Sequence, residues 1–362
     1  MSAWLALVVI AISFYIMAKI VDDYFIKSLD IISKWMKLTP SVAGATLMAM
    51  GTSAPELSTA LIALFKENSN PGIGLGTVVG SAIFQILVVI GFAALVKTSY
   101  LNWKPVIRDG FFYAITIVLL ILFVRDGTVT FFESAMLLIG YFVYLVVLFA
   151  WTRYMSEEEK NEPDPIELVE EGMEKDRKKH KGKKLLSYLT YPIDIIINLL
   201  PDPEKKEKWT IPIFVISLGV IGYFSYWLVV AAEALAGAVG IPSVIIALTI
   251  LAGGSSIPEL IGSVVVSRQG RGDMAISNAI GSNVFDILVS LGLPLFIYSA
   301  IHGPIGNIDE SNISSSIFLL FATLVAVLAL LASQKFKAGR NFGIVLIASY
   351  IIYVVAAYTG WI

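Results

Sequence analysis

Gly51-Thr52-Ser53-Ala54-Pro55-Glu56-Leu57 lies in a long apolar run, and its pattern returns as Gly254-Ser255-Ser256-Ile257-Pro258-Glu259-Leu260. Five of the seven residues are identical. Further on, Gly80-Ser81-Ala82-Ile83-Phe84-Gln85-Ile86-Leu87 returns as Gly281-Ser282-Asn283-Val284-Phe285-Asp286-Ile287-Leu288, with five of eight identical. Two motifs in the same order at nearly the same spacing make the chain an internal duplication.

The runs around these motifs are of membrane-spanning length, about 20 apolar residues. Ten can be read, near 3–25, 39–65, 72–97, 107–124, 131–151, 211–236, 242–267, 273–300, 313–333 and 342–360. Of the 362 residues 57% are hydrophobic and 15% charged, below the roughly 25% charged of a soluble domain. The charges are concentrated: 12 of the 26 Lys and Arg and 14 of the 28 Asp and Glu fall between Thr152 and Lys208. The organisation expected is a first five-helix half over 1–151, a polar loop over 152–210 and a second five-helix half over 211–362. Five is odd, so the second copy enters the membrane from the opposite side. The expected fold is therefore an all-α polytopic membrane protein of ten transmembrane helices in two inverted five-helix repeats. Inverted repeats with interrupted helices near the midplane mark secondary transporters.

Basic residues set the orientation, because Lys and Arg stay on the cytoplasmic side. They occupy alternate connections: Lys27, Lys34 and Lys37; Lys97, Lys104 and Arg108; the central loop; Arg268 and Arg271; Lys335, Lys337 and Arg340. The opposite connections hold only Lys66 and Arg125. The central loop is expected in the cytoplasm and both termini outside. Met1-Ser2-Ala3-Trp4 lacks the basic region of a cleavable signal, so the first run reads as a retained helix. Short outer loops and a compact inner loop point to a plasma membrane and a monomer. Leu185–Leu200 mixes Leu, Ile and Tyr with few charges and reads as a segment on the inner membrane surface, within an otherwise solvated linker.

The motifs carry the chemistry. Proline removes a backbone donor and clashes with the carbonyl four residues earlier. Pro55 and Pro258 therefore free carbonyls around Met48–Thr52 and Leu251–Ser255, with Met48 and Ala252 among the candidate ligands. An ionised carboxylate in a bilayer costs at least about 2.5 kcal/mol, yet Glu56 and Glu259 occupy equivalent places in both copies. Facing one another they would repel, and a divalent cation would neutralise both. Ca²⁺ takes six to eight oxygens, carboxylates among them. Asp286 adds a third carboxylate, opposite the neutral Gln85 of the first copy. The hydroxyls of Thr52, Ser53, Ser81, Ser255, Ser256 and Ser282, and the amide of Asn283, complete the candidate metal-binding set. Each has a plainer reading. The serines can bond back to their own helix or permit close packing. Asn283 and Asp286 can hydrogen-bond between helices. Asp273 reads as a helix N-terminal charge, Glu133 and Glu233 as solvated span ends, and Gly76, Gly80 and Gly281 as close helix contacts. The alternative for the two glutamates is pairing with a buried base, and no Lys or Arg lies deep in any expected span.

Several function classes fall away. No Gly-Lys-Ser/Thr loop suggests ATP as the driver. With no cysteine, and with His180 and His302 both outside the spans, thiolate and imidazole metal sites have no support. No nucleophile–base pair suggests an enzyme, no permanently bound cofactor is expected, and no basic face suggests nucleic acid.

At these residues the chain resembles the calcium/cation antiporter superfamily, specifically the potassium-dependent sodium/calcium exchangers. The repeats are similar to that family's alpha repeats, with acidic residues after a Gly-Thr-Ser-x-Pro type motif. Arg268-Gln269-Gly270-Arg271-Gly272-Asp273-Met274-Ala275, Gly281-Ser282-Asn283-Val284-Phe285-Asp286, and Leu200-Pro201-Asp202 with Phe224-Ser225-Tyr226 resemble further family segments. The resemblance implies a ten-helix fold, Na⁺ entry coupled to Ca²⁺ export, and K⁺ co-transport. It implies Ca²⁺ ligation by Glu56 and Glu259 with Na⁺ competing there. It also implies Na⁺ ligation around Thr52, Ser53, Ser255 and Ser256, and K⁺ dependence through Asp286. The chain departs from the subgroup in carrying Glu259 where aspartate is usual, Gln85 for asparagine and Ser255 for threonine, which bears on Na⁺ stoichiometry and K⁺ dependence. A Ca²⁺/H⁺ antiporter of the same fold is the alternative reading, since clustered carboxylates also carry protons.

Overall fold

The computed structural model describes residues 1–36, 49–66, 71–152, 193–195, 197–203, 205–268, 270, 272–306 and 310–359. A chain in lipid has no water to satisfy its peptide groups, so apolar runs close their hydrogen bonds internally as helices. In the first half these are α1 (Ala3–Ile20), α2 (Ile26–Trp35), α3 (Ala49–Thr52), α4 (Ala54–Phe65), α5 (Gly72–Phe84), α6 (Ile90–Val96), α7 (Trp103–Val124) and α8 (Phe131–Thr152). In the second they are α9 (Thr210–Val239), α10 (Ser243–Ile246), α11 (Ala252–Ser255), α12 (Ile257–Arg268), α13 (Gly272–Phe285), α14 (Gly292–His302), α15 (Glu310–Ser333) and α16 (Arg340–Tyr358). The strands β1 (Ser99–Tyr100) and β2 (Lys337–Ala338) pair antiparallel.

Among the described residues eight helices are long and apolar enough to cross a membrane, and Ser243–Ser255 with Ile257–Arg268 forms a ninth, bent by 42°. The shorter apolar helix Ala54–Phe65 follows a chain break of the same kind. The residues just upstream of Ala49, including the expected ligand Met48, lie outside the described residues. So does most of the central loop, with 185–192 of the expected surface segment.

Helix ends follow local chemistry. Thr130 and Glu133 cap one another at the start of α8, the Thr130 N–H and hydroxyl donating to Glu133 at 2.8 and 2.7 Å. Glu133 is thus a cap rather than a free span-end charge. Gly240, with φ +72°, ends α9 in the left-handed conformation that glycine adopts without cost.

The duplication shows in the packing. α1 lies along α9, and α7 crosses α15. The α4–α5 pair recurs as α12–α13, α6–α16 as α14–α8, and α13–α7 as α5–α15. β1 and β2 join the connection before α7 to the one before α16. The counterpart, a bridge between Val129 and Ile305, joins the connection after α7 to the one before α15. These two pairings sit at opposite ends of α7, as an inverted repeat requires.

Three local unwindings share this logic. Wide π-turns occupy Gln85–Val89, Ala247–Leu251 and Asp286–Leu291. The first and last begin at repeat-equivalent residues. π-turns recur at functional sites, because the inserted residue redirects side chains and loosens the hydrogen-bond ladder. A fourth, Val21–Phe25, joins α1 to α2, and the first candidate span runs from Ala3 to Leu29.

Candidate ion-binding site

Both repeats break at serine. Ser53, between α3 and α4, has φ −90° and ψ 7°; Ser256, between α11 and α12, has φ −86° and ψ 13°. The break follows from the proline two residues on, which leaves the carbonyls of Gly51 and Gly254 without their usual i+4 donor. Glu56 and Glu259 fall in the first turns of the following helices, where the positive end of the helix dipole favours a carboxylate.

α5 and α13 cover the breaks. Gly80 meets the backbone of Leu248 so closely that a Cβ there would collide with it, and Gly76 lies against Ala247 and Val244. This contact brings the first repeat's Ser81 to the second repeat's Ser256. Their hydroxyls are 2.7 Å apart, and both donate to Glu56 Oε1 at 3.1 Å. Thr52 faces the Glu259 carboxylate and Ser255 faces Glu56, so the hydroxyls cross between repeats. Gln85 ties in the rest: its Nε2 donates to Asp286 Oδ2 at 2.9 Å and to Ser81 Oγ at 3.3 Å, and its Oε1 accepts from Ser282 at 2.8 Å. Ser290 donates to Asp286 Oδ1 at 3.4 Å, and Ser53 faces the same carboxylate. The Ala252 carbonyl accepts from Ser256 N–H at 3.3 Å and Ser255 Oγ at 3.2 Å.

The centre is buried and under-satisfied. Glu56, Gln85, Ser53, Ser256 and Asp286 have no exposed surface, and Glu259 has 3%. Glu56 Oε2, both Glu259 oxygens and both polar atoms of Asn283 lack a hydrogen-bond partner, with Ser53 Oγ also short of bonding geometry. Buried groups without partners are rare, and a carboxylate is the costliest of them. Among the described residues no three His, Cys, Asp or Glu side chains converge at metal-binding distances. A cation here would meet two carboxylates at most, with hydroxyl, amide and backbone oxygens making up its shell.

A family model described as sodium/calcium exchanger protein matches residues 5–150 and 209–359. The chain belongs to the sodium/calcium exchanger family. It is thus a membrane ion transporter, not an enzyme. The exchanger is 29% identical to sodium/potassium/calcium exchanger 2 of Gallus gallus, over 95% of this chain and 75% of that protein. It is 30% identical to sodium/potassium/calcium exchanger 5 of Homo sapiens, over 95% of this chain and 80% of the relative. In fold it resembles the solved sodium-calcium exchanger NCX_Mj, with a TM-score of 0.59 at 23% identity, over 98% of this chain and 99% of that one. That likeness supports the ten-helix inverted-repeat architecture.

Other polar groups in the exchanger's spans escaped sequence reading. Arg108, assigned to a connection, is half-buried near the start of α7 and forks onto Asp109 at 2.8 and 3.0 Å. Tyr144 donates to the same carboxylate at 3.4 Å. Arg108 lies in the second turn of α7, and its own neighbour Asp109, not Glu56 or Glu259, neutralises it. Glu233, expected to be solvated, is paired with Lys66 across α4 and α9. The Asp273 side chain lies outside the described residues.

Proposed function

We propose that the exchanger moves Ca²⁺ against Na⁺, with K⁺ carried alongside Ca²⁺, through one midplane site shared by the two repeats. The observation supporting this most is the crossed arrangement at Glu56: a carboxylate of the first repeat holding a serine from each repeat, opposite Glu259 with no donor of its own. Two buried negative charges repel, and a divalent cation removes both charges at once. Glu56 and Glu259 bind Ca²⁺, while Thr52, Ser53, Ser81, Ser255, Ser256 and Ser282 and the backbone around Met48 and Ala252 supply neutral oxygens. Na⁺ takes the same oxygens, so the two ions compete. Gln85, Asn283 and Asp286 form the adjoining part of the site, where Asp286 holds an alkali cation.

Alternating access follows from charge. Occluding the empty site would seal uncompensated carboxylates in low dielectric, at several kcal/mol per ion. Bound Ca²⁺ or Na⁺ removes that penalty, so only a loaded site switches sides. The inverted halves supply equivalent gates on the two faces. By the positive-inside bias the central loop is cytoplasmic and both termini are outside, in the plasma membrane. K⁺ enters this reading through the names of the sodium/potassium/calcium exchangers that the chain resembles.

The test is radiolabelled Ca²⁺ uptake into proteoliposomes loaded with Na⁺, with K⁺ present or replaced by an inert cation. Uptake that needs internal Na⁺ and falls without K⁺ is expected. Uptake indifferent to Na⁺ but driven by a pH gradient would replace the coupling ion with H⁺.

A further inference from the structure

Tyr113 lies on α7, outside both repeat motifs. It has no exposed surface, and its hydroxyl has no hydrogen-bond partner among the described residues. A buried phenol normally finds a partner. Its charged neighbour is Asp286, which lies within electrostatic reach on the π-turn that α7 packs against. Asp286 takes donors from Gln85 and Ser290, and Ser53 faces it.

Comparison of the halves shows that this tyrosine is specific to one of them. The pair Asp109–Tyr144 of α7 and α8 has its counterpart in Ser316, which faces Tyr353, on α15 and α16. The interval along the chain from Asp109 to Ser316 equals that from Tyr113 to Leu320. Leu320 is as fully buried on α15, which packs against the π-turn that begins at Gln85. Where the repeat carries a neutral amide, the crossing helix brings a leucine. Where it carries a carboxylate, the crossing helix brings a hydroxyl. Two departures from symmetry at one place indicate one shared task.

We propose that Tyr113 is a specificity-determining residue whose hydroxyl oxygen is a ligand of the alkali cation held by Asp286, an inference that rests on the role given to Asp286 above. One carboxylate with neutral hydroxyl and amide oxygens suits a single positive charge, whereas Ca²⁺ seeks several carboxylates. Bridging carboxylate and phenol, the cation satisfies the hydroxyl that the protein leaves unpaired.

The test uses the full chain in proteoliposomes, with Na⁺ and K⁺ titrated separately and Ca²⁺ titrated at saturating alkali cation. Tyr113→Phe removes only the oxygen. It is expected to raise the half-saturating concentration of one alkali cation about tenfold, the loss of one ligand to a charge. The Ca²⁺ titration should be unchanged, and the ion that shifts tells whether Na⁺ or K⁺ sits there. Asp286→Asn should shift the same titration further, and adding Tyr113→Phe to it should do nothing more. Tyr113→Leu, the other half's residue, should reproduce the shift and guards against a folding defect peculiar to one variant. An unchanged alkali titration in both Tyr113 variants, with Asp286→Asn shifted, would overturn the Tyr113 inference and spare Asp286. An unchanged titration in Asp286→Asn would remove the foundation, and the Tyr113 inference with it.

Discussion

The two halves of the exchanger agree at one level of the site and differ at the next. At the helix breaks they match: Ser53 and Ser256 share backbone angles, Pro55 and Pro258 cause the breaks, and Glu56 and Glu259 follow. One level on, Gln85 faces Asp286 across a 2.9 Å hydrogen bond, an amide against an acid. In the function proposed above, symmetry at the breaks would give the two faces of the membrane equivalent gates and provide the paired charge that a divalent ion demands. Asymmetry at Gln85 and Asp286 adds a single charge without a partner of its kind, which suits a monovalent ion. In the proposed function, inverted duplication supplies the transport cycle, and departure from it sets which ions are coupled.

The matched level should be the most fragile. Glu56→Gln or Glu259→Gln leaves one of two charges for Ca²⁺, and a buried ion that loses one of its counter-charges typically costs about 3–5 kcal/mol. Ca²⁺ exchange in proteoliposomes should fall at least about a hundredfold in either variant, with a normal gel-filtration profile. Both variants should be affected alike. Robust exchange by one and not the other would break the symmetry assigned to the pair.

The unmatched level offers a sharper test. Asp286→Gln alone removes the odd charge, and its alkali-cation dependence should be lost. Moving the charge across, with Gln85→Asp and Asp286→Gln together, should restore part of the exchange, because Gln85 and Asp286 begin equivalent π-turns in contact. Restoration should be incomplete, since Leu320 rather than Tyr113 is the counterpart on the crossing helix. No gain of the double over the single variant would mean that the position of the charge, not its presence, is what matters.

Much of this was legible in the sequence. The duplicated motifs located the breaks, the apolar runs located the helices, and odd parity required inversion. The structure brings Glu56, Ser81, Ser256, Gln85, Ser282 and Asp286 into one hydrogen-bonded group, with Thr52, Ser53, Ser255 and Glu259 around it. What escaped reading had no repeated partner to flag it. Tyr113 looks like any aromatic residue in an apolar helix until Asp286, far away in sequence, is placed beside it. Arg108 and Asp109 neutralise each other as neighbours, and so resemble a loop while sitting inside a span. The π-turns leave no mark in composition.

Packing between the halves is also unequal, and glycine substitution should expose it. A Cβ at Gly80 would run into the Leu248 backbone, which cannot rotate away. At Gly281 the nearest atom to an added Cβ is the Tyr144 hydroxyl, at an ordinary 3.6 Å. Gly80→Ala should therefore cost about 1–3 kcal/mol, seen as a lowered melting temperature in detergent, and should slow exchange. Gly281→Ala should stay near wild type in both. Equal effects would place the close approach in both halves.

The smallest effect is expected at the outer rim. Lys66 follows α4 and opposes the basic bias that orients the chain, and it pairs with Glu233 on α9. Its side chain is 17% exposed and that of Glu233 is 28%, so solvent screens the pair and its contribution should be about 1 kcal/mol or less. Glu233→Gln should shift the melting temperature by only a few degrees, more at low salt than at high, and leave the exchange rate within about twofold. Lys66 caps the C-terminus of the half-helix that carries Glu56 in its first turn, so the pair also ties that helix to α9. If Glu233→Gln changed the rate strongly with little change in stability, the pair would be acting in the motion of α4 rather than in folding. The salt dependence separates these roles: a screened surface pair weakens stability smoothly with ionic strength, whereas a contact broken in each cycle would make wild-type exchange faster as salt rises.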